Sequence, residues 1–436
     1  SIYNVEPAPA PNGAGLPDAL VPAVVTSAKG SYNAKEIFGE LLVPILKDIP
    51  GFRRLDLGLG YRYSDYSSIG GVHSYKVEGD WEPFDGLRFR AGYQRANRAP
   101  SLDVLFASTQ QLVSLGSGAN RDPCNAAATG ATSAAGNAQI RSLCAAQGVP
   151  AAGASTPQFV QTVGVGNPDL KEETADTFTV GGVVQPKFAS PVFSRLSLSV
   201  DYYQIKIRDA IGTLAPTDLV RACYNLDGSN PTYAATSPFC QNFRRAPNGS
   251  ITQIVTRAEN LSRFSTRGID AQFDWTVNLA DAGLGGDTGS LGLNVVANRL
   301  IDFQITGREG QATFDYAGTV GNSSIGASSH PKWKVATALS YTNGAVSTTL
   351  RWRYIGRQTD SDRVVNPANT DPSAPAISYF DLELRLRPEE RFEFRLGVNN
   401  LTDKAPPLLA LPTGFTDPST YDVLGRRFYV GVRTKF

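Results

Sequence analysis

Hydrophobic and polar residues alternate along most of this chain. The alternation is clearest in 55–63, 87–94, 271–279, 381–387, 391–398 and 427–436. A period of two places successive side chains on opposite faces of a β-strand. Each segment therefore predicts a strand with one apolar face and one face that carries charges of both signs. Such strands fit a soluble sheet, whose apolar face is its core, or a membrane barrel, whose apolar face contacts lipid.

The connections between the strands favour the barrel. Outer-membrane barrels have short turns on the periplasmic side and long loops outside. Two short connections carry strong hairpin signals, Asp85-Gly86 and Asn343-Gly344. The long connections are 100–171, 212–260, 303–331, 358–376 and 402–420.

The pattern predicts about thirteen spanning strands. They are expected at 33–46, 53–66, 72–83, 87–99, 173–187, 193–211, 262–279, 289–302, 331–342, 345–357, 377–387, 391–400 and the C-terminal segment. Every long loop then lies outside and every short turn inside, provided that 251–260 belongs to an external loop or extends the next strand. Within the loops, 217–224 predicts a short helix with Thr217 as N-cap.

An odd number of strands places residues 1–30, which are rich in proline and alanine, in an extracellular loop segment, and leaves 31–436 for the barrel strands and their loops. Bacterial single-chain barrels have even strand counts and both ends inside. The chain is therefore expected to be part of a barrel. It has no methionine and no N-terminal signal sequence, which indicates a processed piece.

Composition narrows the class of protein further. There are 41 basic and 40 acidic residues, a formal net charge of +1. This balance argues against a nucleic-acid surface. No run approaches the roughly 18 apolar residues that a transmembrane helix needs.

Four cysteines, Cys124, Cys144, Cys223 and Cys240, lie in two loop segments. They allow three pairings, of which Cys124–Cys144 with Cys223–Cys240 closes the two shortest loops. Two disulfides in loops indicate an oxidising compartment or the cell exterior. Four free thiols in a cytosolic protein are the alternative. The chain has no CxxC motif, so a zinc site is not expected.

Several stretches resemble the TonB-dependent outer-membrane receptors. FRAGYQRANRAPSLDVLF (89–106) is similar to a strand-and-loop signature of that family, and NPDLKEETADTFTVGGV (167–183) resembles a second one, with Glu172 where proline is usual. LSLSVDYYQIKIRDAI (196–211), GVNNLTDKAPP (397–407) and YDVLGRRFYVGVRTKF (421–436) are similar to the strands that follow. In this order the resemblance covers nearly the whole chain.

The resemblance implies an all-β fold, a transmembrane antiparallel β-barrel of twenty-two strands with a plug domain inside it. This chain would supply about thirteen C-terminal strands, and nothing in 1–50 resembles a plug. The expected partners are outer-membrane lipid, a second chain or precursor part that carries the plug and the remaining strands, a TonB-type energy-coupling protein acting through that plug, and the barrel-assembly machinery. Phe428, Val430, Val432 and Phe436 resemble the signal that this machinery reads, while Thr434 departs from it.

The family implies uptake of a scarce solute such as a siderophore, a vitamin or an oligosaccharide across the outer membrane of a Gram-negative bacterium. No catalytic motif is present, so neither an enzyme activity nor a cofactor is expected. Arg351, Arg353, Arg95 and Arg98 are candidate contacts to solute or plug. A passive porin, a structural outer-membrane subunit and a soluble all-β enzyme or adhesin remain open alternatives.

Overall fold

The computed structural model describes most of the chain. The described residues are 2–5, 23–26, 28–106, 108–116, 121–321, 329–370, 372–409 and 416–435. No helix within these ranges is long and apolar enough to cross a membrane.

One antiparallel meander dominates the fold. Its thirteen strands are β1 (Ala34–Ile49), β2 (Phe52–Tyr66), β3 (Gly70–Phe84), β4 (Leu87–Arg98), β5 (Glu173–Val184), β6 (Leu196–Thr213), β7 (Ile251–Asn278), β8 (Ser290–Thr306), β9 (Trp333–Asn343), β10 (Val346–Ile355), β11 (Ile377–Glu389), β12 (Phe392–Asn399) and β13 (Arg427–Thr434). Each strand pairs with the next one along the chain. All thirteen predicted strands are confirmed, with bounds that differ by a few residues except in β7.

The pairing register sorts the side chains onto two faces. Leu339, Leu350 and Leu382 lie opposite one another on β9, β10 and β11. Their sequence neighbours Arg351 and Asp381 lie opposite each other on the other side of the sheet. We call the first side the apolar face and the second the charged face. Because the side-chain period is two, this register keeps these leucines together on one face of the three strands.

The long connections all lie at one end of the sheet, the loop end. They are 99–172, 214–250, 307–332, 356–376 and 400–426. The opposite turn end carries the hairpin of Asp85-Gly86, as predicted, and a second hairpin whose turn is Gly344-Ala345, one residue later than predicted. The rule that every short turn lies at the turn end is wrong for 67–69, which joins β2 to β3 at the loop end.

Strand β7 is much longer than its neighbours. Its first part, which contains 251–260, pairs with the loop strands Phe159–Val165 and Phe243–Arg245. Its second part pairs with β6 and β8 in the meander. The prediction that 251–260 extends the next strand is confirmed.

The first two long loops pack together into a compact unit above β7, which we call the cap (residues 121–165 and 214–255). It contains helices α2 (Ala138–Ala146) and α3 (Pro216–Cys223), while the short helix α1 (Leu102–Phe106) lies nearer the meander. Helix α3 confirms the predicted helix, but its N-cap is Ala215 rather than Thr217, because Pro216 occupies the first helical position. The buried apolar residues of the cap include Ile140, Leu143, Leu219, Val220, Tyr224, Ile251 and Ile254.

The two edge strands of the meander differ from the rest. Within the described residues, β1 pairs only with β2 and β13 only with β12. Large apolar side chains on both edges are unusually exposed, including Leu42 on β1 at 71% and Val430 on β13 at 75%. Phe428 and Val432 are exposed on the same face as Val430, while Phe436 lies outside the described residues.

The first thirty residues are described only in part. Ile2–Val5 pairs with Ala28–Ser31, and Ala23–Thr26 pairs with the loop strand Ser108–Ser114. Residues 6–22 lie outside the described residues. The extracellular placement of 1–30 stays a prediction.

Candidate functional site

Ion pairs cover the charged face near the turn end. Arg90 on β4 donates two hydrogen bonds, of 2.7 and 2.6 Å, to the carboxylate of Asp201 on β6. Arg88 pairs with Asp80 on β3, which also accepts from Arg54 at 3.3 Å. Opposite charges on neighbouring strands therefore hold one another in a fixed arrangement along this wall.

A second set of ion pairs lies on β10 to β13. Arg353 donates to both carboxylate oxygens of Asp381, at 2.8 and 3.0 Å, and its guanidinium lies 5.2 Å from the ring centroid of Tyr379. Glu393 accepts from Arg387 and Arg395, both at 2.5 Å. Most arginines on this part of the wall are therefore already held by carboxylates.

Arg351 is different from its neighbours. It lies on the charged face next to Arg353, and its side chain is exposed. Within the described residues it forms no hydrogen bond or ion pair. Its guanidinium is therefore available to an anionic group.

The other two predicted arginines lie near the loop end. Arg98 is on the charged face and pairs with Glu173 of β5. Arg95 is on the apolar-face side of β4, in register with Asp176, and so points away from the other three. We therefore propose no solute or plug contact for Arg95.

An apolar hollow that the sequence analysis missed lies on the charged-face side at the loop end. Its volume is about 600 Å³, and Ile205, Ile207, Phe264 and Phe303 line it beside Arg98. The signal was present in β6, where Ile205 and Ile207 occupy charged-face positions and Lys206 and Arg208 occupy apolar-face positions. The polarity of the two faces is therefore exchanged at the loop end of this strand.

The cap stands beyond this hollow and contains a buried polar network. Arg245 donates to both oxygens of Asp122, at 2.8 and 3.0 Å, and to the hydroxyl of Tyr224 at 2.6 Å. The Tyr224 hydroxyl donates in turn to Gln147 at 2.5 Å. Burial raises the pKa of Tyr224, so its hydroxyl stays a donor. Burial disfavours the guanidinium, but Asp122 and Tyr224 raise the pKa of Arg245 above its usual value.

Two disulfides close the cap, Cys124–Cys144 and Cys223–Cys240, and no described cysteine is free. The predicted local pairing is confirmed, and the alternative of four free thiols is wrong. Within the described residues, no group of three or more His, Cys, Asp or Glu side chains is placed to hold a metal ion.

The family model described as "TonB dependent receptor-like, beta-barrel" matches residues 3–401. The chain belongs to that family. Membership in the TonB-dependent receptors places it in the outer membrane of a Gram-negative bacterium. None of the curated protein sequences matches it.

Solved receptors of the same fold cover nearly all of this chain. A mutant of the ferric enterobactin receptor PfeA from Pseudomonas aeruginosa has 16% sequence identity and a TM-score of 0.58, and the match covers 94% of this chain and 46% of the receptor. The siderophore receptor PirA from Acinetobacter baumannii has 15% identity and a TM-score of 0.51, and the match covers 95% and 46%. The chain thus spans about half the length of these receptors.

An arginine on the apolar face of a TonB-dependent receptor strand is expected to destabilise the protein. Leu350 lies at the middle of β10 on that face, and Thr349 is its neighbour on the charged face. Leu350→Arg should lower the free energy of unfolding by about 2–4 kcal/mol, because the new charge meets the hydrocarbon core. Urea unfolding of the full-length protein in lipid vesicles measures the loss. Thr349→Arg is the matched control, and equal losses in both variants would contradict the orientation of the sheet.

Proposed function

We propose that the chain is part of an outer-membrane TonB-dependent transporter that binds a scarce solute outside and imports it into the periplasm. The family match over 3–401 carries the proposal. The charged wall and the disulfide-closed cap at the loop end support it. The solute would belong to the siderophore, vitamin or oligosaccharide class, and the solved receptors of this fold include two named as siderophore receptors.

Further strands and a plug are needed to complete such a transporter. Unpaired backbone groups of an edge strand cost several kcal/mol each in lipid. We propose that a second chain, or another part of the same precursor, pairs with β1 and β13 and carries the plug. Intact mass measurement of the purified barrel tests this proposal. A single species of this length without a companion would contradict it.

Energy-dependent uptake tests the proposed function directly. Cells that carry the intact receptor should accumulate labelled ferric siderophores, cobalamin or maltooligosaccharides from a panel of such probes. Accumulation of the recognised probe should stop when TonB is deleted or a protonophore is added. A passive porin would keep its uptake under both treatments, and it would also conduct ions in a planar bilayer without removal of a plug.

Arg351 is the residue we propose for contact with solute or plug, because Arg353 and Arg98 are already paired with Asp381 and Glu173. Arg351→Gln should reduce uptake of the recognised probe about tenfold, because a charge-assisted hydrogen bond contributes about 1.5–3 kcal/mol. Arg433→Gln removes an exposed arginine near the turn end of β13 and is the matched control. Equal uptake by the Arg351→Gln variant and the wild type would remove Arg351 from the site.

A further inference from the structure

The outer surface of the sheet turns from apolar to basic at the loop end. On the apolar face of β6, Leu198, Val200 and Tyr202 are followed by Lys206 and Arg208. On β4, Tyr93 on the same face is followed by Arg95. The apolar band therefore ends at tyrosines, and cations lie beyond it.

Aromatic residues mark the height of this change along the barrel. Membrane barrels carry girdles of aromatic side chains at both lipid–water interfaces. At the loop end, the apolar face carries Tyr61, Tyr75, Tyr93, Tyr202, Trp333 and Trp352. A residue two to six positions further along a strand then lies about 7–20 Å beyond the girdle, measured along the strand, toward the lipid head groups.

Four cations gather at that level on neighbouring strands, and we call them the outer basic cluster: Arg95, Lys206, Arg208 and Arg267. Two carboxylates lie among them. Asp176 accepts from Arg95 at 2.8 Å and from Arg208 at 2.5 Å. Asp302 is the second carboxylate. It is almost fully buried and pairs with Arg267. The four cations and two carboxylates together therefore carry a net charge of +2.

The cluster also keeps hydrogen-bond donors free. Arg208 is about half exposed and directs one nitrogen to Asp176. Lys206 lies between Arg208 and Arg267 along this face of the sheet. Its side chain is exposed and has no ion-pair partner among the described residues. A guanidinium has five N–H donors and an ammonium has three. Enough donors remain to surround the oxygens of a phosphate group.

Apolar surface continues directly below these cations. Phe178 on β5 is 41% exposed and Val200 on β6 is 42% exposed, both on the same face as the cluster. A ligand that fits this surface has an anionic head and apolar chains. The cluster also points away from the hollow and from Arg351, so a solute inside the barrel would not contact it.

We propose that the outer basic cluster binds the phosphorylated head group of a lipid in the outer leaflet. Guanidinium and ammonium groups hold the phosphate oxygens, and the acyl chains lie along the apolar face between β5 and β6. The proposal requires the membrane location of the strands and does not depend on what the protein transports.

Lipid binding by the full-length protein in detergent micelles tests the proposal. A fluorescent diphosphorylated glycolipid is titrated into the wild type and into Lys206→Gln/Arg208→Gln. The double variant should bind about thirtyfold more weakly, since each basic residue near an anionic surface contributes about a factor of five. Lys187→Gln removes an exposed cation at the turn end and should bind like the wild type.

Further arms of the experiment separate the lipid from other anions. The dephosphorylated glycolipid should bind the wild type as weakly as the diphosphorylated one binds the double variant. Displacement of the lipid by equimolar inorganic phosphate would overturn the proposal, because the site would then be one for a free anion. Equal affinity of the wild type and the double variant would also overturn it. Should the double variant misfold, Lys206→Gln alone gives the same test with an expected loss of about fivefold.

Discussion

Replacing Asp122 by asparagine is expected to unfold the cap. Asp122 is fully buried, and its partner Arg245 is only 6% exposed. Asparagine leaves the guanidinium buried without a counter-charge, and breaking a buried ion pair in this way costs about 3–5 kcal/mol. The loss is large because Arg245 also binds the carbonyl oxygen of Gly249, at 2.5 Å, and the Tyr224 hydroxyl.

Amide hydrogen exchange in the cap of the full-length protein measures this loss. Protection should fall in the 251–256 part of β7, while the lower part of that strand keeps its protection. Glu309→Gln breaks the exposed pair with Arg263 and is the matched control, for which no change is expected. Asp122→Leu with Arg245→Met should recover part of the protection, because an apolar pair carries no desolvation penalty. Unchanged protection in Asp122→Asn would contradict the role given to this pair.

Removing the Cys223–Cys240 disulfide is expected to produce the second large effect. The bridge joins the end of α3 to a segment 17 residues later and lies in the buried core of the cap. Replacing both cysteines by alanine should destabilise the cap by about 3 kcal/mol, mainly because the unfolded loop gains conformational freedom.

Limited proteolysis of the cap with and without dithiothreitol measures this effect. Reduction should accelerate cleavage of the wild-type cap and have a smaller effect on the double alanine variant, in which only Cys124–Cys144 is left to reduce. Cleavage at the same rate in the oxidised wild type and in the oxidised double variant would show that this bridge does not stabilise the cap.

Alternation was sufficient to predict the strands of the meander, because successive side chains of a strand point to opposite faces and meet different surroundings. For 251–260 the sequence left two alternatives, an external loop or an extension of the next strand, and the structure shows the extension. The helices of the cap do not show this alternation and have to be predicted from apolar spacing and capping residues. Helix α2 was missed because its apolar positions are few, although Asn137 accepts hydrogen bonds from the backbone N–H groups of Gln139 and Ile140 and could have been read as an N-cap.

The sequence could not predict those parts of the site in which two residues far apart in the chain pair with each other. Asp122 and Arg245 are 123 residues apart, and neither neighbourhood indicates burial of a charge. The opposite faces of Arg95 and Arg98, by contrast, could be read from the sequence, because an odd separation places two residues on opposite sides of a strand. The exchange of polarity at Ile205, Lys206 and Ile207 was also visible in the sequence.

The length of β7 determines how mechanical force would pass through the molecule. Its 28 residues extend from the turn end into the cap, a contour of roughly 90 Å. The strand runs from Ile251 to Asn278 without a break, so tension applied at the tip is expected to act parallel to the strand and to load many ladder hydrogen bonds simultaneously in shear. A tether attached at Ile251 would therefore meet far greater resistance than one that peels the edge strand β13 away one bond after another.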